Sequence, residues 1–537
     1  MKKNNYFKGF LKAEGTKIIN DAGEEVILTG WGIGNWLLCE GYMWLAGGIS
    51  RMDRPYRIEQ VVKELVGTEK ANEFWRNFRT NYIQESDIAH MKSLGYNSVR
   101  IPFNWRLFLQ DEPGIAWKEE GFLLLDRCLE WCEKHEIYAF LDMHGAPGGQ
   151  TGTNIDDSID DVPRLFIDKD KWEKGIVIWE ELAKRYKDNQ TVGGYDLLNE
   201  PIRPAYGNDL DYTYLLPKLS QFYDEAITAI RKHDKDHMLS IEGHHWSTDL
   251  NVFHKKHDDN MVIHFHRYGK YGEFPQRTTL DKYIKKSREL NVPLWMGETG
   301  ENKLPWYSAY FQLAQNYGIG YNLWPYKKMG AKNCPCLITP PKDWDLILDY
   351  AKGGGHPGFE KAESILSEYL ENLKFENNVL LPEITNFVFR QSPFFIRATD
   401  FDESPSRDDL YSGNSEENNV YQLRDNTGIR VIEEKPPGKL EFRCDTQWDR
   451  FVIELQEKDY VTYTANKVNK DEKIQIECTA TSSGILRITQ NYGICQKIHV
   501  SDENKDKVEV IISESGSLEL RIECVHGKVQ MRKIIFG

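Results

Sequence analysis

The 537-residue chain lacks the features that mark several common protein classes. It has no excess of basic residues, because 68 Lys and Arg stand against 83 Asp and Glu and give a formal charge of −15. Nucleic acids and anionic membranes attract basic surfaces, so neither is an expected partner. The chain also lacks a run of about 18 apolar residues, which a membrane-spanning helix requires.

Cysteine is too scattered for a disulfide-bonded scaffold. The nine cysteines are an odd number and are spread over most of the chain. Cys334 and Cys336 form one close pair, and Cys128 and Cys132 form another. Neither pair has a second Cys or His pair at the spacing of a zinc site. We therefore predict free thiols in a reducing compartment.

The N-terminus lacks the apolar core of a secretory signal. It reads MKKNNYFKGFLKAEGTK, and Asn4, Asn5, Lys8 and Lys12 interrupt any apolar run after the basic start. The sequence as it stands predicts a cytoplasmic protein. Secretion is the alternative for a form from which a leader has been removed.

Tryptophan is scarce in one part of the chain only. Of 15 Trp residues, 14 lie between Trp31 and Trp344, and Trp448 alone lies beyond them. This asymmetry indicates two unlike parts, and a chain of this length is expected to form more than one domain.

The first part alternates short apolar runs with longer amphipathic stretches such as Gly121–Lys134 and Trp172–Arg185. The predicted strands are Val26–Trp31, Asn97–Pro102, Tyr138–His144, Gly194–Asn199, Met238–Glu242, Met261–His266, Pro293–Glu298 and Gly320–Trp324. Eight βα repeats fit a closed α/β barrel, the (β/α)8 or TIM barrel, better than an open sheet. We expect this domain over residues 1–380, with a hairpin around Asn20–Gly23 and an insertion over residues 37–85 after strand one.

After about residue 390 the pattern changes to short alternating strands. Period-two runs cover 451–455, 460–465, 473–480, 484–490, 508–513, 518–523 and 529–536. No pattern of helical length interrupts them. Residues 390–537 are therefore predicted to form an appended, jelly-roll-like β-sandwich, with the domain boundary between about residues 375 and 392.

Polar and aromatic side chains collect at the ends of the predicted barrel strands, where barrel enzymes carry their functional groups. The set comprises Arg100, His144, Asn199, Glu200, His266, Tyr268, Glu298 and Trp324. Each residue alone has an ordinary explanation, whereas the whole set shares one predicted rim.

Glu200 and Glu298 end strands four and seven, which lie across the barrel mouth from each other. A facing pair of carboxyls, one protonated and one ionised, is what the cleavage of a glycosidic bond requires. A separation of about 5–5.5 Å would mean retention of configuration, and about 6.5–9.5 Å would mean inversion.

The neighbouring side chains fit different roles for the two carboxyls, one as the acid and the other as the nucleophile. We expect Arg100 to hold the nucleophile ionised by charge pairing and Tyr268 to donate a hydrogen bond to it. His266 would order the acid. Asn199 would bond the sugar 2-hydroxyl, and Trp324 would form an apolar floor for the sugar ring.

Six motifs resemble those of glycoside hydrolase family 5, in the family's order and over about residues 7–345. They are NSVRIPFNW (97–105), FLDMHGAPGGQ (140–150), YDLLNEP (195–201), VIHFHRY (262–268), MGET (296–299) and YNLWPYK (321–327). The resemblance implies Glu200 as acid/base and Glu298 as nucleophile, and the other rim residues as the subsite of the cleaved sugar. It implies neither a metal nor an organic cofactor. His264 and His266 share a face and would permit a metal, but the family pattern needs only His266.

Two stretches, GIGNWLLCEGYMW (32–44) and HGAPGGQTG (144–152), resemble exo-β-1,3-glucanases and related β-glucosidases of the family. There, a glutamate of the first loop helps to close a pocket around the non-reducing-end sugar, and Glu40 falls at that position. DRCLEWCEK (126–134) and NLWPYKK (322–328) resemble endo-acting cellulases instead. Exo action is one expectation, and an endo-β-1,4-glucanase or a β-mannanase is the alternative.

Two aromatic features have two interpretations each. Trp246 follows strand five and either forms a positive subsite or packs under a loop. The insertion over residues 37–85 either walls the cleft, with Trp44 as a candidate sugar platform, or forms a packed helical cap.

The C-terminal part resembles a family 6 carbohydrate-binding module through FFIRATDFDE (394–403) and KDYVTYTANK (458–467). Lys458 stands where glycine is usual, and the last strand, VQMRKIIFG, lacks the aromatic and asparagine of a binding cleft. Since the region has one Trp, a structural sandwich that packs against the barrel or mediates oligomers is an equal interpretation.

Together these patterns predict a retaining glycoside hydrolase that cleaves β-glucosidic bonds in β-glucans or β-gluco-oligosaccharides by double displacement. The expected partner is a β-linked oligo- or polysaccharide, and the sequence does not indicate the oligomeric state. A non-catalytic sugar-binding protein on the same barrel is the alternative from another class. The presence of both Glu200 and Glu298 with their supporting residues argues against it.

Overall fold

The computed structural model describes residues 7–207, 210–442, 445–480, 483–501 and 506–537. Its first element is an antiparallel hairpin of β1 (Lys12–Glu14) and β2 (Lys17–Ile19). The chain reverses at Gly15, whose φ of 59° is left-handed and therefore favours glycine. The turn expected at Asn20–Gly23 is also present, but it joins β2 only to an isolated bridge between Ile19 and Glu25.

Eight parallel strands form a closed barrel, which confirms the predicted fold class. In chain order they are β3 (Thr29–Gly32), β4 (Ser98–Asn104), β5 (Tyr138–Gly145), β6 (Val192–Asp196), β7 (Met238–Glu242), β8 (Met261–Tyr268), β9 (Leu294–Gly300) and β10 (Gly320–Trp324). Strand β10 pairs with β3 and closes the ring. At the other end of the strands, Leu11 and Ile18 of the hairpin region pack with Tyr138 and Trp295 and cover the barrel floor.

Helices cover the outside of the barrel, and several others flank it. They are α1 (Pro55–Tyr82), α2 (Glu85–Ser93), α3 (Glu120–Lys134), α4 (Lys169–Tyr186), α5 (Leu216–Arg231), the single turn α6 (His244–Ser247), α7 (Asp281–Leu290), α8 (Leu304–Asn316), α9 (Trp344–Ala351), α10 (Phe359–Asn372) and α11 (Pro382–Val388). The predicted helices over 121–134 and 172–185 correspond to α3 and α4. Within the described ranges, no helix combines the length and apolarity needed to cross a membrane.

The insertion after β3 forms both a wall and a cap. Two short 3-10 turns, Gly41–Trp44 and Ser50–Met52, lie beside the open end of the barrel. The long helix α1 packs against α10 as a cap. Trp44 belongs to this cap, because it is fully buried and its ring centroid lies 5.0 Å from that of Tyr369. The expectation that Trp44 is a sugar platform is therefore wrong, since elements far away in sequence cover it.

The C-terminal part is all-β, as predicted. A small sheet of β11 (Lys327–Met329), β12 (Cys336–Ile338) and β13 (Val379–Leu380) precedes it. The later strands are β14 (Phe394–Arg397), β15 (Tyr411–Ser412), β16 (Arg430–Glu433), β17 (Phe451–Leu455), β18 (Tyr460–Val468), β19 (Lys473–Ala480), β20 (Ser483–Gln490), β21 (Ile494–Ser501), β22 (Asp506–Ile511), β23 (Gly516–His526) and β24 (Val529–Phe536). They form two antiparallel sheets, β16-β17-β24-β19-β22 with β14 beside β24, and β15-β18-β23-β20-β21. Strand β21 was not predicted, because it is an edge strand whose exposed Cys495, Gln496 and Lys497 weaken the alternation.

The barrel and the sandwich share one continuous hydrophobic cluster. Helix α11 packs on α8 at the junction. There the buried Arg390 donates hydrogen bonds from Nε to the backbone oxygen of Ser308 at 2.6 Å and from Nη1 to Asp402 at 2.6 Å. These contacts hold the second domain against the first.

Candidate active site

The C-terminal ends of the barrel strands open into one cleft with a volume of about 1500 Å³. Nine of the predicted site residues line it: Glu40, His144, Asn199, Glu200, Trp246, His266, Tyr268, Glu298 and Trp324. Arg100 is fully buried and makes direct contact with Glu298 from below. The residues converge because parallel strands bring their carboxyl ends to the same end of a barrel.

Glu200 and Glu298 are close neighbours on the floor of this cleft. The carboxylate of Glu298 accepts a hydrogen bond from Arg100 Nη1 at 2.7 Å and another from the Tyr268 hydroxyl at 2.8 Å. Glu200 Oε1 lies 2.7 Å from His266 Nδ1. One oxygen of each carboxylate and one nitrogen of His266 all lie within 4.8 Å of one another. The two carboxyls are therefore close enough to act on the same bond of a substrate.

The backbone around Glu200 is held in an unusual conformation. Its φ of 40° is left-handed, which costs a non-glycine residue on the order of 1–3 kcal/mol. The Glu200 N–H donates to Glu242 Oε2 at 2.7 Å, and the Thr151 hydroxyl donates to the Glu200 carbonyl at 2.7 Å. These two bonds fix the loop that follows β6 and point the carboxyl into the cleft.

The surroundings move the pKa values of the two glutamates apart. Burial raises the pKa of Glu200 above its ordinary value, although the nearby His266 opposes this shift. Burial would also raise the pKa of Glu298, but the positive charges of His266 and Arg100 and the Tyr268 hydrogen bond outweigh it and lower that pKa. One carboxyl therefore favours its protonated form and the other its ionised form, which is how paired carboxyls take separate roles.

His266 is the cation between these groups. Burial would lower its pKa, but the charges of Glu242, Glu298 and Glu200 outweigh burial and raise the pKa well above the ordinary value. Its Nε2 lies 3.4 Å from Glu242 Oε1. A protonated imidazole donates from both ring nitrogens, so His266 bonds Glu200 on one side and faces Glu242 on the other.

Arg100 sits among four buried carboxylates beneath the cleft. Its guanidinium nitrogens lie 3.1 Å from Asp142, 2.8 Å from Asp196, 3.0 Å from Glu242 and 2.7 Å from Glu298. Such a group is stable in a protein interior only when cations and carboxylates are paired and hydrogen-bonded. The network therefore fixes the position of Glu298.

Sequence reasoning assigned no role to Asp142, Asp196 and Glu242. They lie inside predicted strands, where a buried acid is easily taken for a solvent-facing residue. A signal was available, because Asp142 precedes His144 by two positions and the two share a face of β5. Asp142 Oδ2 lies 2.8 Å from His144 Nδ1.

A flat-sided subsite lies beside the two glutamates. The rings of His144 and Trp324 are stacked, with centroids 5.2 Å apart and planes inclined by 2°. Asn199 accepts a hydrogen bond from Arg100 Nη2 at 2.9 Å, and its Nδ2 lies 3.2 Å from His144 Nε2. The Trp324 ring fits because Gly34 lacks a side chain, since a Cβ there would lie 2.4 Å from a ring carbon.

Comparison with known proteins supplies the family. The family described as Cellulase (glycosyl hydrolase family 5) matches residues 61–330, about half of the chain. The chain belongs to glycosyl hydrolase family 5.

Three curated relatives of this family-5 chain show its range of similarity. A β-xylosidase of Phanerodontia chrysosporium is 35% identical over 308 residues, which cover 54% of this chain and 61% of the relative. Endoglucanase C of Acetivibrio thermocellus is 27% identical over 312 residues, which cover 46% of this chain and 85% of the relative. A glucan 1,3-β-glucosidase of Candida oleophila is 26% identical over 293 residues, which cover 48% and 62%. The chain thus matches about three fifths of the length of two of these relatives.

The insertion of this family-5 chain adds two groups to the cleft. The Tyr42 hydroxyl accepts a hydrogen bond from Trp324 Nε1 at 2.7 Å. Glu40 is 3% exposed, and burial together with the charges of Glu298 and Glu301 raises its pKa well above the ordinary value. These surroundings favour the protonated form of the Glu40 carboxyl.

Trp246 lies on another side of the cleft, where the loop after β7 is strained. His245, Trp246 and Ser247 have φ values of 57°, 57° and 51°, and three consecutive left-handed non-glycine residues are uncommon. Trp246 Nε1 donates to the Tyr206 hydroxyl at 3.1 Å, and both side chains line the cleft. Trp246 thus lines the cleft, and its role as a positive subsite stays a prediction.

Two sets of side chains bring possible metal ligands together. Glu200, His266 and Glu298 form one set, and Glu242, His264 and His266 form the other. Both sets depend on His266, and the surrounding carboxylates favour its protonated form, which has no lone pair for a metal. The same carboxylates that complete the two sets therefore favour a proton on His266.

Proposed function

We propose that this protein is a retaining glycoside hydrolase that cleaves β-glucosidic bonds in β-glucans or β-gluco-oligosaccharides. One observation carries the proposal: two glutamates with carboxylate oxygens within 4.8 Å have pKa values shifted in opposite directions. The short separation favours retention, for which about 5–5.5 Å between carboxyls is typical, over inversion at about 6.5–9.5 Å.

In the first step, a Glu298 carboxylate oxygen attacks the anomeric carbon while Glu200 gives its proton to the departing oxygen. A covalent glycosyl-enzyme and a free leaving group result. In the second step, Glu200 takes a proton from water, the water oxygen attacks the anomeric carbon, and Glu298 is released as a carboxylate. Two inversions give net retention.

The supporting residues divide the remaining work. Arg100 and Tyr268 hold Glu298 ionised and in place, and His266 orders Glu200. Asn199 lies beside the stacked His144 and Trp324 rings, and we expect it to bond the sugar 2-hydroxyl. Such a contact strengthens in the transition state.

Two features support action from the end of a glucan chain. The insertion brings Glu40 and Tyr42 to the cavity that holds Glu200 and Glu298, where the two side chains can hydrogen-bond the hydroxyls of a terminal sugar. A curated relative is named a glucan 1,3-β-glucosidase. The volume of about 1500 Å³ favours a second candidate, endo action on a β-1,4-glucan or a mannan, because ligand pockets typically have about 300–1,000 Å³.

The stereochemistry of hydrolysis tests the mechanism. Proton NMR during cleavage of an aryl β-glucoside should show the β-anomer of glucose first. An activated 2-deoxy-2-fluoro-β-glucoside should label Glu298, as read by peptide mass, and the Glu298→Ala variant should remain unlabelled. An α-anomer formed first, or a label on another residue, would rule out the proposed mechanism.

Product profiles on laminarin, carboxymethyl-cellulose and mannan separate the two modes of action. Release of glucose alone from laminarin supports the exo proposal. A ladder of oligosaccharides from any of the three would replace it with endo action on that polymer.

A further inference from the structure

The β-sandwich reaches into the active-site cleft through one loop. Residues 434–447 connect β16 to the turn before β17, and Phe442 in this loop lines the same cavity as Glu200 and Glu298. Phe442 is half-buried, so part of its ring faces the cavity. The second domain therefore contributes a side chain to the active-site cleft.

The loop contacts the segment that follows the strand of the proposed nucleophile. Lys303, three residues beyond the end of β9, places Nζ 3.0 Å from Glu441 and 3.2 Å from Asp445. The same nitrogen lies 5.7 Å from the centre of the Phe442 ring, which is within the range of a cation–π contact. Lys303 also lines the cavity.

Hydrogen bonds join the described residues on the two sides of Phe442. Gly438 and Gln447 exchange two hydrogen bonds of 3.1 Å. Asp445, which is 1% exposed, accepts from the backbone nitrogens of Glu441 and Gln447 at 3.2 Å each. A binding group whose neighbours are already held by hydrogen bonds loses less conformational entropy when a ligand is bound.

Trp448, the tryptophan of the sandwich, does not offer an exposed ring face to a sugar. Trp448 is 2% exposed, and its Nε1 donates to Asp400 at 3.1 Å, so its ring is part of the domain core. Among the described residues of the sandwich, Phe442 is the aromatic residue that lines the cleft. Aromatic rings offer a flat apolar face, and such a face suits the apolar side of a sugar ring.

We propose that Phe442 and Lys303 form a subsite, supplied in part by the β-sandwich, for a sugar ring of the substrate outside the catalytic subsite. The inference rests on the proposed function and extends it. In this view the second domain acts as part of the active site and not as an independent sugar-binding module. The cleft volume of about 1500 Å³ leaves room for such an additional ring.

The test compares the Phe442→Ala variant with wild type on an aryl β-glucoside and on β-gluco-oligosaccharides of three to five sugars. The ratio of kcat/KM for oligosaccharide to that for aryl glucoside should fall by about fivefold to tenfold, as expected for the loss of one stacking contact. Phe442→Trp should preserve the ratio. Tyr492→Ala is the matched control, because Tyr492 is an exposed aromatic of the sandwich that does not line the cleft. An unchanged ratio in Phe442→Ala, or an equal fall in Tyr492→Ala, would overturn the proposal.

Binding without turnover separates this proposal from the proposed function. In a Glu298→Gln background, calorimetry with laminari-, cello- and manno-oligosaccharides should show about fivefold to tenfold weaker binding after Phe442→Ala. If wild type hydrolyses none of these sugars, the proposed function fails, whereas the calorimetric result still decides the subsite. Equal dissociation constants with and without the Phe442 ring, or no binding of any sugar, would overturn the subsite.

Discussion

The barrel and the sandwich both bury charged residues, but they balance the charges differently. Beneath the cleft, Arg100 faces four carboxylates, so negative charge is in excess around it. At the domain junction, Arg390 pairs with Asp402 and Arg424 pairs with Glu403, so each cation has its own carboxylate. The surplus at the first site raises the pKa of His266, while the positive charges of His266 and Arg100 lower the pKa of Glu298.

This difference shows how burial serves two purposes in one chain. Paired charges at the junction bond backbone oxygens and fix one domain on the other, as Arg390 does with Ser308. The unequal set in the barrel shifts the pKa values of the groups around it, upward for His266 and downward for Glu298. Substitutions in one region should therefore change activity, and substitutions in the other should change stability.

The largest contrast is expected between Arg100→Met and Arg390→Met. Loss of Arg100 removes a cation that keeps Glu298 ionised, so kcat/KM on an aryl β-glucoside should fall by about 10³-fold. Arg390→Met breaks a buried pair away from the cleft and should cost about 3–5 kcal/mol of unfolding free energy, with kcat/KM of the folded protein within about twofold. Denaturant unfolding and steady-state kinetics measure both quantities. A similar loss of activity in both variants would contradict the division between the regions.

The next effect is a shift in the pH dependence of activity. The charge of His266 lowers the pKa of both Glu200 and Glu298, so His266→Gln should raise both. Since Glu298 must be ionised and Glu200 protonated, both limbs of the kcat/KM profile should move to higher pH, with about 10²-fold lower activity at the optimum. His257→Gln is the control, because this buried histidine bonds Asp224 instead. Limbs that stay in place in His266→Gln would show that its charge does not control the glutamates.

The sandwich should show a pH effect on stability rather than on activity. Burial raises the pKa of Asp400 from 3.8 to about 6 in the folded protein. The folded state then holds this proton more tightly than the unfolded state, so stability falls as pH rises from about 3.8 through about 6. Asp400→Asn should therefore stabilise the protein at pH 7.5 by up to about 3 kcal/mol, and by less at pH 5. An equal change in unfolding free energy at both pH values would contradict the role of this ionisation.

Much of the barrel could be predicted from sequence because its signals are local. Each buried strand is a short apolar run, and Glu200 and Glu298 follow from the rule that functional groups gather where strands end. Several features were missed or wrongly assigned because they depend on contacts distant in sequence. Glu242 looks like an ordinary strand residue until Arg100 is placed beside it, and Phe442 reaches the cleft beside Lys303, which lies far away in sequence. Trp44 looked exposed because the helices that cover it lie far along the chain.

The smallest effect concerns the strained loop that carries Trp246. Both Trp246→Ala and Trp246→Gly remove the indole ring from the cleft wall. The two variants should therefore show the same relative fall in kcat/KM on oligosaccharides, compared with wild type. They should differ in stability, because the left-handed φ of 57° at this position strains an alanine but not a glycine. The glycine variant should be more stable than the alanine variant by about 1 kcal/mol in denaturant unfolding. Equal stability would mean that the loop relaxes once the ring is gone, and the left-handed backbone would then be a consequence of placing Trp246 against Tyr206.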